Sequence, residues 1–146
     1  MPRHFTLAEA QSLIPQVEPM LRQAIRLKSE YAEAAGELRR FQERLMMAGG
    51  VVVDRDRALE MRRRSEGAAE RLKSALSDVQ ELGCLIKDLD IGLIDFMTKY
   101  RDREVCLCWK LGEDAIAFWH GTEEGFRGRK PIDQDFIDHH EGDPAD

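Results

Sequence analysis

A chain of 146 residues that is 42% hydrophobic and 34% charged has the size of one domain and the make-up of exposed amphipathic helices around a modest core. A net charge of -6 and the lack of any long apolar run exclude a helical membrane span and a broad nucleic-acid footprint. The charge is unevenly placed: residues 1–82 carry 14 Lys+Arg against 13 Asp+Glu, residues 83–132 carry 8 against 9, and residues 133–146 carry six acids and no Lys or Arg.

The opening, MPRHFTLAEAQ, has no apolar signal segment, and three cysteines is an odd number. The expectation is a cytoplasmic protein with reduced thiols. Thr6 and Glu9 have the spacing of a capping box, in which the threonine oxygen and the glutamate carboxylate each accept from the other's backbone N–H. Phe5, just before it, is placed to staple the first turn. A seam spaced three and four apart then runs Leu7, Ala10, Ile14, Val17, Leu21 and Ala24, and on through Lys28, Tyr31, Ala35, Leu38, Gln42 and Leu45, with Lys28 and Gln42 as polar interruptions. Leu13, Met20, Leu27, Ala34 and Phe41 widen the stripe. Pro15 and Pro19 each remove a backbone donor, so a kink or break is expected near residues 14–19, with a long helix from about residue 16 to 47. Gly49 and Gly50 stop it, Val51 to Val53 form a turn, and Asp54 caps a second helix. That helix has its own seam at Ala58, Met61, Ser65, Ala68, Leu72, Ala75, Val79 and Leu82. The two make an antiparallel, coiled-coil-like hairpin over 5–82, whose small seam residues point to a homodimer that buries helix surface. The arginines near its tip (Arg39, Arg40, Arg44, Arg55, Arg57, Arg62, Arg63, Arg64) are interleaved with acids, which marks a solvated face, and nucleic acid is not an expected partner.

Residues 83–132 change character. EVCLCWKL alternates, with Val105, Leu107, Trp109 and Leu111 on one face and Glu104, Cys106, Cys108 and Lys110 on the other. A turn at Gly112–Ala115 leads to a return strand at 116–120, and an even loop sets Trp109 opposite Phe118 and Leu107 opposite His120. A further strand is expected at 91–97. The result is α+β: a long antiparallel helical hairpin, a small antiparallel β-meander (83–132), and an acidic tail over 133–146 expected to be disordered.

The runs GC-x-x-KD-x-D-x-GL-x-DF, REV-x-LCW-x-LGE, I-x-x-WH and GF-x-GR-x-PI, with the opening FTL-x-EA-x-x-LIP-x-V-x-P, resemble a bacterial and archaeal family catalogued as domain of unknown function 2203. The resemblance spans the chain except the acidic tail, and Met97 departs from it, where the family more often has proline. It implies one continuous domain over 1–132 and no particular activity.

Chemistry is expected in the β-module. Cys84, Asp88, Asp90, Asp95, Cys106, Cys108 and His120 are donors that suit a divalent metal, with His120, Asp88 and Asp90 the leading ligand candidates. The expected register puts His120 on the face opposite Cys106 and Cys108, which argues against one site holding all three. Lys87, Arg127 and Arg129 complete the cluster, the arginines as partners for the aspartates. The structural alternatives are cysteines that serve as small packing residues and acids that pin the GFRGR loop. The leading functional expectation is a non-catalytic homodimeric scaffold without a cofactor, docking an unknown protein partner through Trp109, Trp119 and Phe126. The alternative is a metal-binding protein or enzyme built on Asp88, Asp90, His120 and Arg129.

Overall fold

The computed structural model describes residues 3–49 and 55–144. Helix α1 runs Leu7–Met47 and helix α2 Arg55–Glu81. The capping box forms as the sequence specifies: Thr6 N–H donates to Glu9 Oε1 at 2.9 Å and Glu9 N–H to Thr6 Oγ1 at 3.1 Å. Helix α1 continues through Pro15 and Pro19, so the expected break, with a helix starting near residue 16, is corrected. Both prolines lie four apart on the exposed face, where water can satisfy the carbonyls they strand. Gly49 ends the helix region in the left-handed conformation at φ +78. The expected roles of Gly50, Val51 to Val53 and Asp54 lie outside the described residues.

The chain forms two compact units. One is Gln23–Ser77, where the two helices run antiparallel: Arg64 pairs with Glu37 at 3.0 Å, and Arg57 lies over the Phe41 ring. Its buried apolar residues, among those described, are Ala24, Leu27, Ala34 and Ala68, and so it is held by close approach of small side chains.

The other unit comprises the two ends of the chain, Met1–Arg22 and Asp78–Asp146. It contains a six-stranded antiparallel sheet built from β1 (Leu85–Asp88), β2 (Leu93–Tyr100), β3 (Arg103–Lys110), β4 (Phe118–Gly121), β5 (Lys130–Pro131) and β6 (His140–Glu141). The order is β1-β2-β3-β4-β5, with β6 also on β2. The β2–β3 hairpin closes through Arg101 and Asp102, both at positive φ, as a two-residue turn that matches strand twist requires. One sheet face presents Ile94, Phe96, Val105, Leu107 and Trp109 to Phe5, Ala10, Ile14, Val17 and Leu21, and these form the core. The apolar face read from the alternating sequence is therefore the core face.

The register of β3 with β4 differs from the expected one by one residue. Cys108 lies opposite Phe118, Leu107 opposite Trp119 and Cys106 opposite His120. The connection is longer because Ile116 never joins the strand: its N–H donates to Gln11 Oε1 at 2.8 Å, and its side chain enters the core at 5% exposure. A one-residue slip moves every side chain of a strand to the other face. His120 thereby joins Cys106 and Cys108.

The acidic tail is structured as far as it is described, which corrects the expectation of disorder. Asp133 caps helix α3 (Gln134–His139), Phe136 is fully buried against Tyr100, Trp119 and His140, and β6 pairs with β2.

Candidate metal centre

The second face of the sheet carries the polar chemistry. Asp95 sits in the middle of β2 in an otherwise apolar run, at 0% exposure. Its neighbour across the β2–β3 ladder is Cys108, and one rung away Met97 faces Cys106, which in turn faces His120. Three adjacent strands thus bring together two thiols, a thioether, an imidazole and a carboxylate, all buried.

The hydrogen bonds define the state of the histidine. Its Nδ1 lies 2.7 Å from the Gly121 carbonyl. A carbonyl only accepts, so Nδ1 carries a proton in this arrangement. Nε2 lies 3.0 Å from Asp95 Oδ1, itself an acceptor when ionised. Two acceptors at that distance require a cation between them, either a proton or a metal ion. The other carboxylate oxygen, Oδ2, is buried with no hydrogen-bond partner, so Asp95 has coordination to spare. The orienting carbonyl is itself held: it accepts from Glu124 N–H at 3.0 Å, and Glu124 Oε1 accepts from Gly121 N–H at 2.8 Å and from Lys130 Nζ at 2.6 Å. Histidine ligands in metal proteins are commonly held by such an outer bond from the nitrogen that does not bind metal.

One donor atom each from Asp95, Cys106 and His120 lie within 4.8 Å of one another. Burial, and then the Asp95 charge, push the Cys106 thiol up to about 12; Cys108 is raised to about 12 for the same two reasons. Neither thiol is set up as a thiolate nucleophile, since activated cysteines need the opposite environment. A bound metal removes that obstacle, because coordination deprotonates a thiol outright.

The other expected site residues are placed elsewhere. Cys84 is a core residue whose Sγ reaches the Val79 carbonyl at 3.5 Å, its thiol raised by burial to about 11. Asp88 is exposed and caps a 3-10 turn (Leu89–Ile91) by accepting from Asp90 N–H at 3.0 Å. Asp90 is exposed in that turn, and neither aspartate is among the three residues whose donor atoms come together, Asp95, Cys106 and His120. Lys87 is exposed on β1, close enough to act on Cys106 electrostatically. Arg127 is exposed. Arg129 pairs with Glu113 at 2.6 Å rather than with the aspartates, and lies against the rings of Phe118 and Phe126. Of the expected docking aromatics, Trp109 is wholly in the core, its Nε1–H donating to the Glu113 carbonyl, and Trp119 is stacked under Phe136. Phe126 alone is open, at 42% exposure. Sequence reasoning overlooked Met97 and the Gly121 carbonyl as parts of the site; the available signal was the carboxylate inside the run LIDFM, a charge where burial demands a partner.

No helix among the described residues is long and apolar enough to cross a membrane. No curated protein and no solved structure matches the chain. Residues 3–132 match the family described as an uncharacterized conserved protein, DUF2203, and over that span, nearly the whole chain, the protein belongs to this family.

Proposed function

We propose that this protein binds a transition-metal ion in the sheet face, through Asp95, Cys106 and His120. The observation that supports it is the approach of His120 Nε2 to Asp95 Oδ1 at 3.0 Å, beside a buried thiol and an orphaned carboxylate oxygen. Metal bonds of ~2.0–2.1 Å to two atoms 3.0 Å apart meet at roughly 95°, which a four-coordinate ion accommodates after a small outward relaxation. Nitrogen, sulfur and oxygen donors together suit zinc and its neighbours and do not suit magnesium or calcium, which take oxygen.

The test is elemental analysis of untagged protein purified without chelator, followed by loading of the stripped protein with Co(II). A thiolate-to-cobalt charge-transfer band at one equivalent is expected. Cys106→Ser should abolish the band, and His120→Ala, which removes a ligand, should weaken metal binding by more than the ~10–100-fold that loss of an outer partner costs. Wild-type protein that takes up no metal and gives no such band would remove the reading.

A second reading, a homodimeric interaction protein of the cytoplasm, draws support from the apolar side chains left open. Leu85, Ile91 and Phe126 are exposed in the β-unit, and Leu59, Met46 and Met47 in the helical unit. Light scattering tests the dimer directly: twice the 16.8 kDa chain mass is expected, and a mass equal to one chain at micromolar concentration would dismiss it.

A further inference from the structure

Which ion the site prefers depends on a residue beyond the Asp95–Cys106–His120 group. Met97, Cys106 and His120 are direct cross-strand partners, so their side chains stand in one rung on β2, β3 and β4 and on one face. Met97 is 8% exposed, and its Sδ lies 3.7 Å from Cys106 Sγ. At that distance the thiol proton points at the thioether lone pair, and an ion that replaces the proton falls between two sulfurs. With metal–sulfur bonds of ~2.3 Å, a 3.7 Å separation subtends about 107° at the ion, close to the tetrahedral angle. On the opposite side of Cys106, His120 offers Nε2, its ring already held by the Gly121 carbonyl.

A thioether is a soft, neutral donor. It contributes little to zinc and less to harder ions, whereas thiolate, thioether and imidazole together are a set that copper in its lower oxidation state favours. Cys108, one rung away on the same face, adds further sulfur to the surroundings, and the burial of the whole rung keeps water from competing.

We infer that the ion taken by this site is copper(I), held by the Cys106 thiolate, the Met97 Sδ and the His120 Nε2, with Asp95 beside them. This rests on the metal-binding reading above, keeps its Cys106 and His120 ligands and puts Met97 Sδ in the place of Asp95 Oδ1. No electron transfer is involved: the copper enters already reduced, and the thiol proton leaves to solvent.

The experiment is an anaerobic titration of the reduced full-length protein with Cu(I) against a chromogenic Cu(I) chelator, run beside a Co(II) titration. The variants are Met97→Leu, which keeps the side-chain volume so that folding is retained, and Cys108→Ser. Wild-type protein is expected to take one Cu(I) per chain from the chelator. Met97→Leu should lower Cu(I) affinity by about tenfold or more, with Co(II) affinity changing by less than about twofold. Cys108→Ser should leave Cu(I) affinity unaltered. Co(II) uptake together with a Met97→Leu variant that holds Cu(I) as tightly as the parent would overturn this inference and leave the metal-binding reading standing. Loss of Cu(I) in Cys108→Ser but not in Met97→Leu would overturn it as well, by assigning the sulfur to the other residue. Failure of the wild-type protein to bind either ion would overturn both.

Discussion

Asp95 is an uncommon residue for its position: an ionisable side chain with no exposure, its Oδ1 3.0 Å from His120 Nε2. A buried carboxylate without full hydrogen bonding is costly, and proteins that keep one generally gain specificity or function from it. The geometry makes this separable by substitution. In Asp95→Asn the amide keeps the shape and can donate to His120 Nε2, so the metal-free pair no longer needs a shared proton. With chelator present, urea unfolding of Asp95→Asn should give a free energy within about 1 kcal/mol of the parent or above it, while metal affinity falls. A loss beyond about 3 kcal/mol, the cost of breaking a buried ion pair, would show instead that His120 is a charged partner of Asp95 in the metal-free protein. At this scale the sequence was half legible. Asp95 and His120 stand out as titratable groups inside apolar runs, and both fall in the candidate cluster. Their relation was hidden by a long-range bond, Gln11 to the Ile116 backbone, which lengthens the β3–β4 connection and flips the face of His120. Asp88 and Asp90 drew attention by spacing, but a D-x-D run satisfies a 3-10 turn equally well.

The elements read most clearly are those specified by local contacts. The capping box, the seams of α1 and α2 and the alternating strand β3 follow from neighbours in sequence. The elements missed are those that exist only through distant partners. Helix α3 and strand β6 are too short to form alone; they are held by Phe136 in an aromatic pocket and by ties to the other end of the chain. His140 Nε2 accepts from Leu7 N–H at 2.9 Å, and Asp143 exchanges backbone and side-chain bonds with His4. Composition alone, rich in acids, suggested disorder, yet those acids are the ties. The Tyr100 hydroxyl and then the Arg101 guanidinium hold the Asp135 carboxyl below the usual carboxylate range, and the His4 backbone N–H does the same for Asp143. A carboxyl depressed in the folded state contributes stability above its unfolded value, and that contribution is lost as pH falls through the folded value. The C-terminal segment is therefore expected to stay docked from neutral pH down to the usual aspartate range, about pH 4, and to loosen below it. Hydrogen exchange of residues 133–143 against pH measures this; release of the segment between pH 7 and 5, with the carboxylates still ionised, would assign its attachment to other groups.

For the molecule as a whole, the two units differ in what sustains them. The β-unit has a core of large side chains, with Trp109, Phe5, Phe96 and Phe136 all fully buried. The helical unit, Gln23–Ser77, buries mainly alanines and one leucine among its described residues, so it gains less from burial per residue and should open more readily. Helical periodicity alone could not reveal this division, since α1 contributes its first turns to one unit and the rest to the other without a break. The proposed metal site lies wholly in the β-unit, on β2, β3 and β4. An ion that binds only the folded state stabilises it by about 2.7 kcal/mol at a free concentration one hundred times its Kd. Hydrogen exchange with and without saturating metal should therefore show slower exchange in β2, β3 and β4, and unchanged exchange between residues 23 and 77. Amides that exchange through opening of the site-bearing unit must first release the ion, whereas amides that exchange through local opening of the helices release nothing. Equal slowing across residues 23–77 would mean that the two units open as one, and that the thin core of the helices is no guide to their stability.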